Sequence, residues 1–228
     1  MLPLSATLKP CNKFNRTFEV NVGGPGRRIK RASFVGAETR RIYIDPRDVP
    51  EIDYSLLTGR FAPFAKDSIF RHAREGVTTK DAIEYQVKLA GTGIEDSCFE
   101  WEVLVGFVEF DQTFCATGKS APARRVRYDL SIFLPGNTRI IFADDFLDVA
   151  KEAGGCNKAY ILSFPFDPSM GNGVMQIRTR AWDQQSRAMI SFMQIQPSTR
   201  RRLGADCWKH QATNDEKEAE EDAKAVAA

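Results

Sequence analysis

In the stretch RVRYDLSIFL, residues 125–134, the apolar side chains Val126, Tyr128, Leu130, Ile132 and Leu134 alternate with Arg125, Arg127, Asp129 and Ser131. Successive side chains of an extended chain point to opposite faces, so a period of two predicts a strand with one buried and one wet face. Pro135-Gly136-Asn137 then supplies turn chemistry, and TRIIFA (138–143) predicts the returning arm of a hairpin. The same alternation recurs in TFEVNV through Phe18, Val20 and Val22, and in IEYQVKL through Ile83, Tyr85, Val87 and Leu89. A chain patterned this way from end to end folds into sheets.

CFEWEVLVGFVEFDQTFC (98–115) changes phase midway. Phe99, Trp101, Val103, Val105 and Phe107 occupy one face, while Val108 and Phe110 continue on the other. This predicts a β-bulge near Gly106, bending a long strand. VMQIRTRAW (174–182) and RAMISFMQIQ (187–196) predict a second hairpin across Asp183-Gln184-Gln185-Ser186, and weaker strands are expected at 29–35, 40–44 and 158–165. Two helices are predicted: PFAKDSIFRHARE (63–75), amphipathic through Phe64, Ile69, Phe70 and Ala73, and DDFLDVAKEAGG (144–155), capped by Asp144 and Asp145 and stopped at Gly154-Gly155. The expected fold is all-β with two short helices. About ten mostly antiparallel strands form a bent sandwich or barrel, with a jelly roll among the arrangements that fit. Residues 1–13 read as a basic arm, 14–197 as one domain, and 198–228 as a linker and acidic tail.

Composition narrows the function classes. Residues 1–31 carry seven basic side chains against Glu19, and residues 203–228 carry seven acids against three lysines, so a basic head and an acidic tail flank a neutral body. No apolar run approaches the length of a membrane span, and no membrane partner is expected. The five cysteines, Cys11, Cys98, Cys115, Cys156 and Cys207, are odd in number and never spaced Cys-x-x-Cys. That predicts neither a disulfide framework nor a zinc site, and hence an intracellular, reducing compartment, cytoplasmic or virion-associated. The N-terminus, with Lys9, Lys13 and Arg16 and no acids before Glu19, also has the composition of an organelle-import segment.

Gly118-Lys119-Ser120 resembles the end of a phosphate-binding loop, but Thr113 stands where that loop requires glycine, and a strand rather than a helix is expected to follow. His72 and His210 are the two histidines, one expected on a helix surface and one in the tail, so no poised base or ligand pair is predicted. Asp45, Asp48, Glu51 and Asp53 cluster in YIDPRDVPEIDY, whose two prolines predict a rigid solvated connection rather than a calcium loop. No catalytic residue, metal site or cofactor is expected.

The arginines are the stronger lead. Arg27, Arg28, Lys30 and Arg31 follow GGPG. Arg124, Arg125 and Arg127 approach the outward face of one strand, and Arg178 and Arg180 share an outward row with Trp182. Guanidinium groups interleaved with an aromatic on a sheet suit single-stranded nucleic acid, RNA or DNA. The expected function is a non-enzymatic binding and assembly protein, self-associating into a homo-oligomer, of coat or RNA-associated type. The alternative is a β-barrel with an interior pocket for a small apolar ligand, an isomerase, cyclase or hydrolase working through Asp or Glu.

Overall fold

The computed structural model describes residues 18–21, 32–34, 39–57, 70–92, 94, 99–115, 122–182 and 186–201. Arg27, Arg28, Lys30 and Arg31, the Gly118-Lys119-Ser120 run and the acidic tail lie outside these residues. Within them the chain forms β1 (Phe18–Asn21), β2 (Ala32–Phe34), β3 (Thr39–Tyr43), β4 (His72–Gly76), β5 (Ala82–Lys88), β6 (Phe99–Val108), β7 (Arg125–Leu134), β8 (Thr138–Asp148), β9 (Ala159–Phe166), β10 (Val174–Ala181), β11 (Met189–Ile190) and β12 (Phe192–Arg201). One short helix, α1 (Val149–Ala153), follows β8.

The strands make three antiparallel sheets, ordered β1-β12-β6-β9, β2-β5-β10-β7-β8 and β11-β4-β3. The first two face each other as an open sandwich, not a closed barrel. Trp101, Val103, Val105 and Phe107 of β6, with Met193 and Ile195 of β12, share one core with Ile83 and Val87 of β5, Leu130 and Ile132 of β7, and Met175 and Ile177 of β10. Tyr128 of β7 meets Phe164 of β9 across the gap, ring centroids 5.2 Å apart. Each fully buried large apolar side chain stabilises the fold by roughly 1.5–3 kcal/mol. Of the two arrangements expected, the strands form the open sandwich rather than the closed barrel.

β6 carries no bulge at Gly106. Its register against β9 runs unbroken from Trp101↔Phe166 to Val108↔Ala159. The strand reads apolar on both sides because both sides are covered. Leu104 and Val108 face a second, smaller core with Phe192, Phe70, Ile52 and Ala159, against which Val49, Tyr54, Leu57 and Phe110 pack. Gly106 leaves room for the Phe192 ring: a Cβ there would run into it. The segment carrying Ile52 is pinned by a parallel bridge, Asp53↔Lys158, and by Arg71, which donates to the carbonyls of Val49 (2.6 Å) and Pro50 (3.0 Å).

Three further expectations need correction. First, the segment predicted to close a helix over 63–75 ends in strand: His72–Gly76 is β4, paired with β3 and β11, and its alternation buries Ala73 and Glu75. Sheet pairing outweighs the local helical pattern there. Second, β8 runs through Asp144 and Asp145 to Asp148, and it is Asp148 that caps α1, accepting from the Lys151 amide. Third, β10 and β12 do not form a hairpin: β10 lies between β5 and β7, whereas β12 lies between β1 and β6. The β7–β8 hairpin is present as expected, turning on Gly136 (φ 87°) and Asn137 (φ 62°), both in the left-handed region. β12 continues to Arg201, past Pro197, after a register shift.

Candidate binding surface

The registers gather the outward arginines at one end of the five-stranded sheet. Arg180 stands opposite Arg127, and Arg127 opposite Phe146 on β8. Trp182 extends the row beyond β10, its backbone N–H donating to the Arg125 carbonyl at 2.8 Å. Phe146 and Trp182 are 52% and 48% exposed, with ring centroids 5.4 Å apart and planes tilted by 30°. The Arg127 guanidinium lies 5.6 Å from the Trp182 ring centre. Two large rings left half in water beside guanidinium groups form an apolar platform with a cationic rim.

Several cations on this face are already matched. Arg127 donates to Asp144 from both Nε (2.8 Å) and Nη2 (2.6 Å). These hydrogen bonds hold the Asp144 carboxyl below its usual range and raise Arg127. Arg139 pairs with Asp129 at 3.0 Å, and Arg178 sits 3.7 Å from Glu84. Arg125 and Arg180 make no ion pair with a carboxylate among the described residues, and Arg125 is exposed. Phe146 was missed in the sequence because DDFLDV reads as a helix. The period-two run from TRIIFA through Ala143, Asp145 and Leu147 is the signal that places it on a strand.

Arg124, expected outward, is instead buried. Its Nη1 meets Glu75 Oε1 and its Nε meets Glu109 Oε2, each at 2.6 Å, and all three side chains are at most 6% exposed. Glu109 Oε1 accepts from the Asp111 amide at 3.0 Å, and Glu75 Oε2 is held by Arg40 at 2.5 Å with Arg187 at 3.6 Å. Burial pushes the Glu109 carboxyl above its ordinary range despite Arg124. For Glu75 burial pushes the same way but is outweighed by hydrogen bonds from Arg124 and Arg40, leaving it lowered. All four carboxylate oxygens are engaged within the fold, so this array joins β4, the end of β6 and the start of β7 rather than offering an acid and a base.

The other candidates resolve individually. Asp45 pairs with Arg47 at 2.6 Å and Asp53 lies 3.4 Å from Lys158, on either side of the buried Ile52. His72 is half-buried in β4 with its ring 4.9 Å from that of Tyr43. Among the described residues no three His, Cys, Asp or Glu side chains are grouped to hold a metal. Cys115 and Cys156 are disulfide-bonded, Cα atoms 5.6 Å apart, which corrects the expectation of unbridged cysteines. Bridges of this kind persist in oxidising compartments, so the expected reducing environment loses its basis. No described helix is long and apolar enough to cross a membrane.

The geometry defines a class: an antiparallel β-sandwich with a small third sheet at its flank and an aromatic, arginine-rimmed corner. No protein-family model matches the chain, and no curated protein resembles it in sequence. Among solved structures, the ANXUR2 extracellular domain from Arabidopsis thaliana superposes with a TM-score of 0.53 at 13% identity, covering 80% of this chain and 49% of that one. The ANXUR1 extracellular domain from the same plant gives 0.52 at 14% identity, covering 80% and 48%. The likeness is one of fold, and this chain spans about half the length of those domains.

Proposed function

We propose that the chain is a non-enzymatic binding protein that contacts single-stranded nucleic acid through the corner formed by Trp182, Phe146, Arg125 and Arg180. The observation that carries this reading is the paired, half-exposed rings of Trp182 and Phe146 beside Arg125 and Arg180, which make no ion pair among the described residues, Arg180 acting on Asp144 only at longer range. An unpaired base stacks on such a ring for roughly 1–3 kcal/mol, and the guanidinium groups meet the flanking phosphates. Arg127 and Arg178 are matched by Asp144 and Glu84 and contribute little net charge.

Matching the arginines sets the salt dependence. Two phosphate contacts on a single strand give a slope of log affinity against log salt of about −1.4, and four more from Arg27, Arg28, Lys30 and Arg31 would give about −4.2. Filter binding of labelled poly(U) between 20 and 300 mM salt reads this directly. Slopes near either value support the reading and tell whether the basic head takes part. No binding at the lowest salt overturns it. Self-association belongs to the same proposal, with β8 the outer strand of its sheet and Ile141 half-exposed on it. Sedimentation showing only the 25.6 kDa species at high concentration removes that part.

A further inference from the structure

On the side of the sandwich where β8 and β9 are the outer strands, the main core reaches solvent through two tyrosines. Tyr128 of β7 meets Phe164 of β9 with ring centroids 5.2 Å apart and is only 8% exposed. Its hydroxyl makes no hydrogen bond among the described residues, yet the oxygen is not sealed in, so a buried ring carries a free hydroxyl to the surface. Tyr160 repeats this from β9: it stands opposite Phe107, packs against the main core and leaves its hydroxyl without a partner among the described residues. Tyrosines buried to this degree ordinarily find a partner for that group.

Two carboxylates stand beside these hydroxyls. Asp145 lies directly opposite Tyr128 in the β7–β8 register, so the two side chains share a face with Cβ atoms about 4.5–5.5 Å apart. One Asp145 oxygen accepts from the Phe146 amide at 2.8 Å, and the exposed side chain makes no ion pair among the described residues. Arg127 acts on it only at longer range, being bound to Asp144. Glu152 is exposed on α1, the helix that joins β8 to β9 and packs against both, and it too makes no ion pair among the described residues. Burial, followed by Asp145, Tyr160 and Asp144, pushes the Tyr128 phenol above its ordinary range, and burial followed by Glu152 does the same to Tyr160. Each phenol is therefore near a carboxylate, and both stay protonated at neutral pH.

We infer that this notch binds a primary ammonium group, with the Tyr128 and Tyr160 hydroxyls accepting its N–H donors, Asp145 and Glu152 balancing its charge, and the Tyr128 and Phe164 rings meeting its alkyl chain. An ammonium brings three donors and no acceptor, which complements free phenol oxygens and carboxylates that only accept. Aromatic faces attract the same charge. Tyr128 and Asp145 lie on the inner face of their sheet, opposite to Arg127 and Arg180, so the inference is independent of the proposed nucleic-acid corner.

Isothermal titration of the full chain with n-butylammonium chloride tests the site, with sodium chloride at matched ionic strength and the neutral isostere n-butanol as controls. Saturable binding is expected for butylammonium and for neither control. Tyr128→Phe keeps the ring against Phe164 and removes the hydroxyl. It melts no lower than the wild type, because that hydroxyl bonds nothing in the fold, and binds butylammonium about tenfold more weakly. Asp145→Asn weakens binding in the same direction. Nα-acetyl-lysinamide separates the two sources of such a group: binding at least as tight as butylammonium assigns a lysine side chain, and weaker binding assigns a free amine. No saturable binding of butylammonium, equal binding of butanol, an unchanged affinity in Tyr128→Phe, or a lower melting temperature in that variant overturns the site.

Discussion

Arg124→Met tests whether the buried array holds the sandwich ends together. The substitution keeps an unbranched side chain in place but withdraws the cation from Glu109 and Glu75. Glu75 retains Arg40 at 2.5 Å and Arg187 at 3.6 Å, so its charge stays compensated. Glu109 is 0% exposed and keeps only the Asp111 amide on its other oxygen. Removing one partner of a buried ion pair costs roughly 3–5 kcal/mol, because the remaining charge is uncompensated. At 2–4 °C per kcal/mol for a domain of this size, melting falls by roughly 6–20 °C.

The pH dependence identifies the group responsible. Glu109 is already raised above its ordinary 4.5 by burial, and loss of Arg124 raises it further. A carboxyl whose folded pKa exceeds its unfolded one favours the fold most below the unfolded value, and that advantage is lost as pH rises through the folded pKa. The variant therefore recovers stability between pH 7 and pH 5. Glu75 loses the Arg124 hydrogen bond as well but keeps Arg40, so it is the Glu109→Gln addition that assigns the pH dependence to Glu109. Urea unfolding followed by circular dichroism at pH 7 and pH 5 measures both effects, and adding Glu109→Gln restores most of the loss at pH 7. A deficit under 1 kcal/mol at pH 7, a deficit unchanged at pH 5, or no rescue by Glu109→Gln would refute the reasoning.

Gly106→Ala forces a methyl group against Phe192 and Phe70 and lowers stability by about 1–3 kcal/mol in urea unfolding, with no change in binding. Reduction of Cys115–Cys156, which are 41 residues apart in sequence, lowers stability by about 4 kcal/mol on the loop-entropy relation, and non-reducing peptide mapping finds the two cysteines linked. Asp144→Ala frees Arg127 for a phosphate, so poly(U) binding tightens and its salt slope steepens by about 0.7. An unchanged slope would mean that Arg127 does not reach the backbone.

Alternation made the strands legible because it reports which side chains meet water: on β7 and β10 it turned Arg125, Arg127, Arg178 and Arg180 away from the core, whereas Arg124, read the same way just before β7, is buried. It does not report which strand pairs with which. The runs at 174–182 and 187–196 are neighbours in sequence and end in different sheets, since the break at Ser191 separates β11 from β12. The apolar switch in β6 has the same appearance whether a strand bends or is covered on both faces, and the covering residues Ile52 and Phe70 are remote in sequence. The Arg124–Glu109–Glu75 array and the Cys115–Cys156 bridge depend on tertiary proximity. Glu109, a lone carboxylate at the end of the run VLVGFV, was the available hint that a buried cation waits nearby.

The corner itself is tested most directly by fluorescence anisotropy of labelled poly(U) at 20 mM salt with the wild type and Trp182→Ala. Trp182 is half-exposed and lies outside both cores, so the variant is expected to melt like the wild type while its affinity falls at least fivefold, the loss of one stacked base. Equal affinity for the two folded proteins would contradict the account.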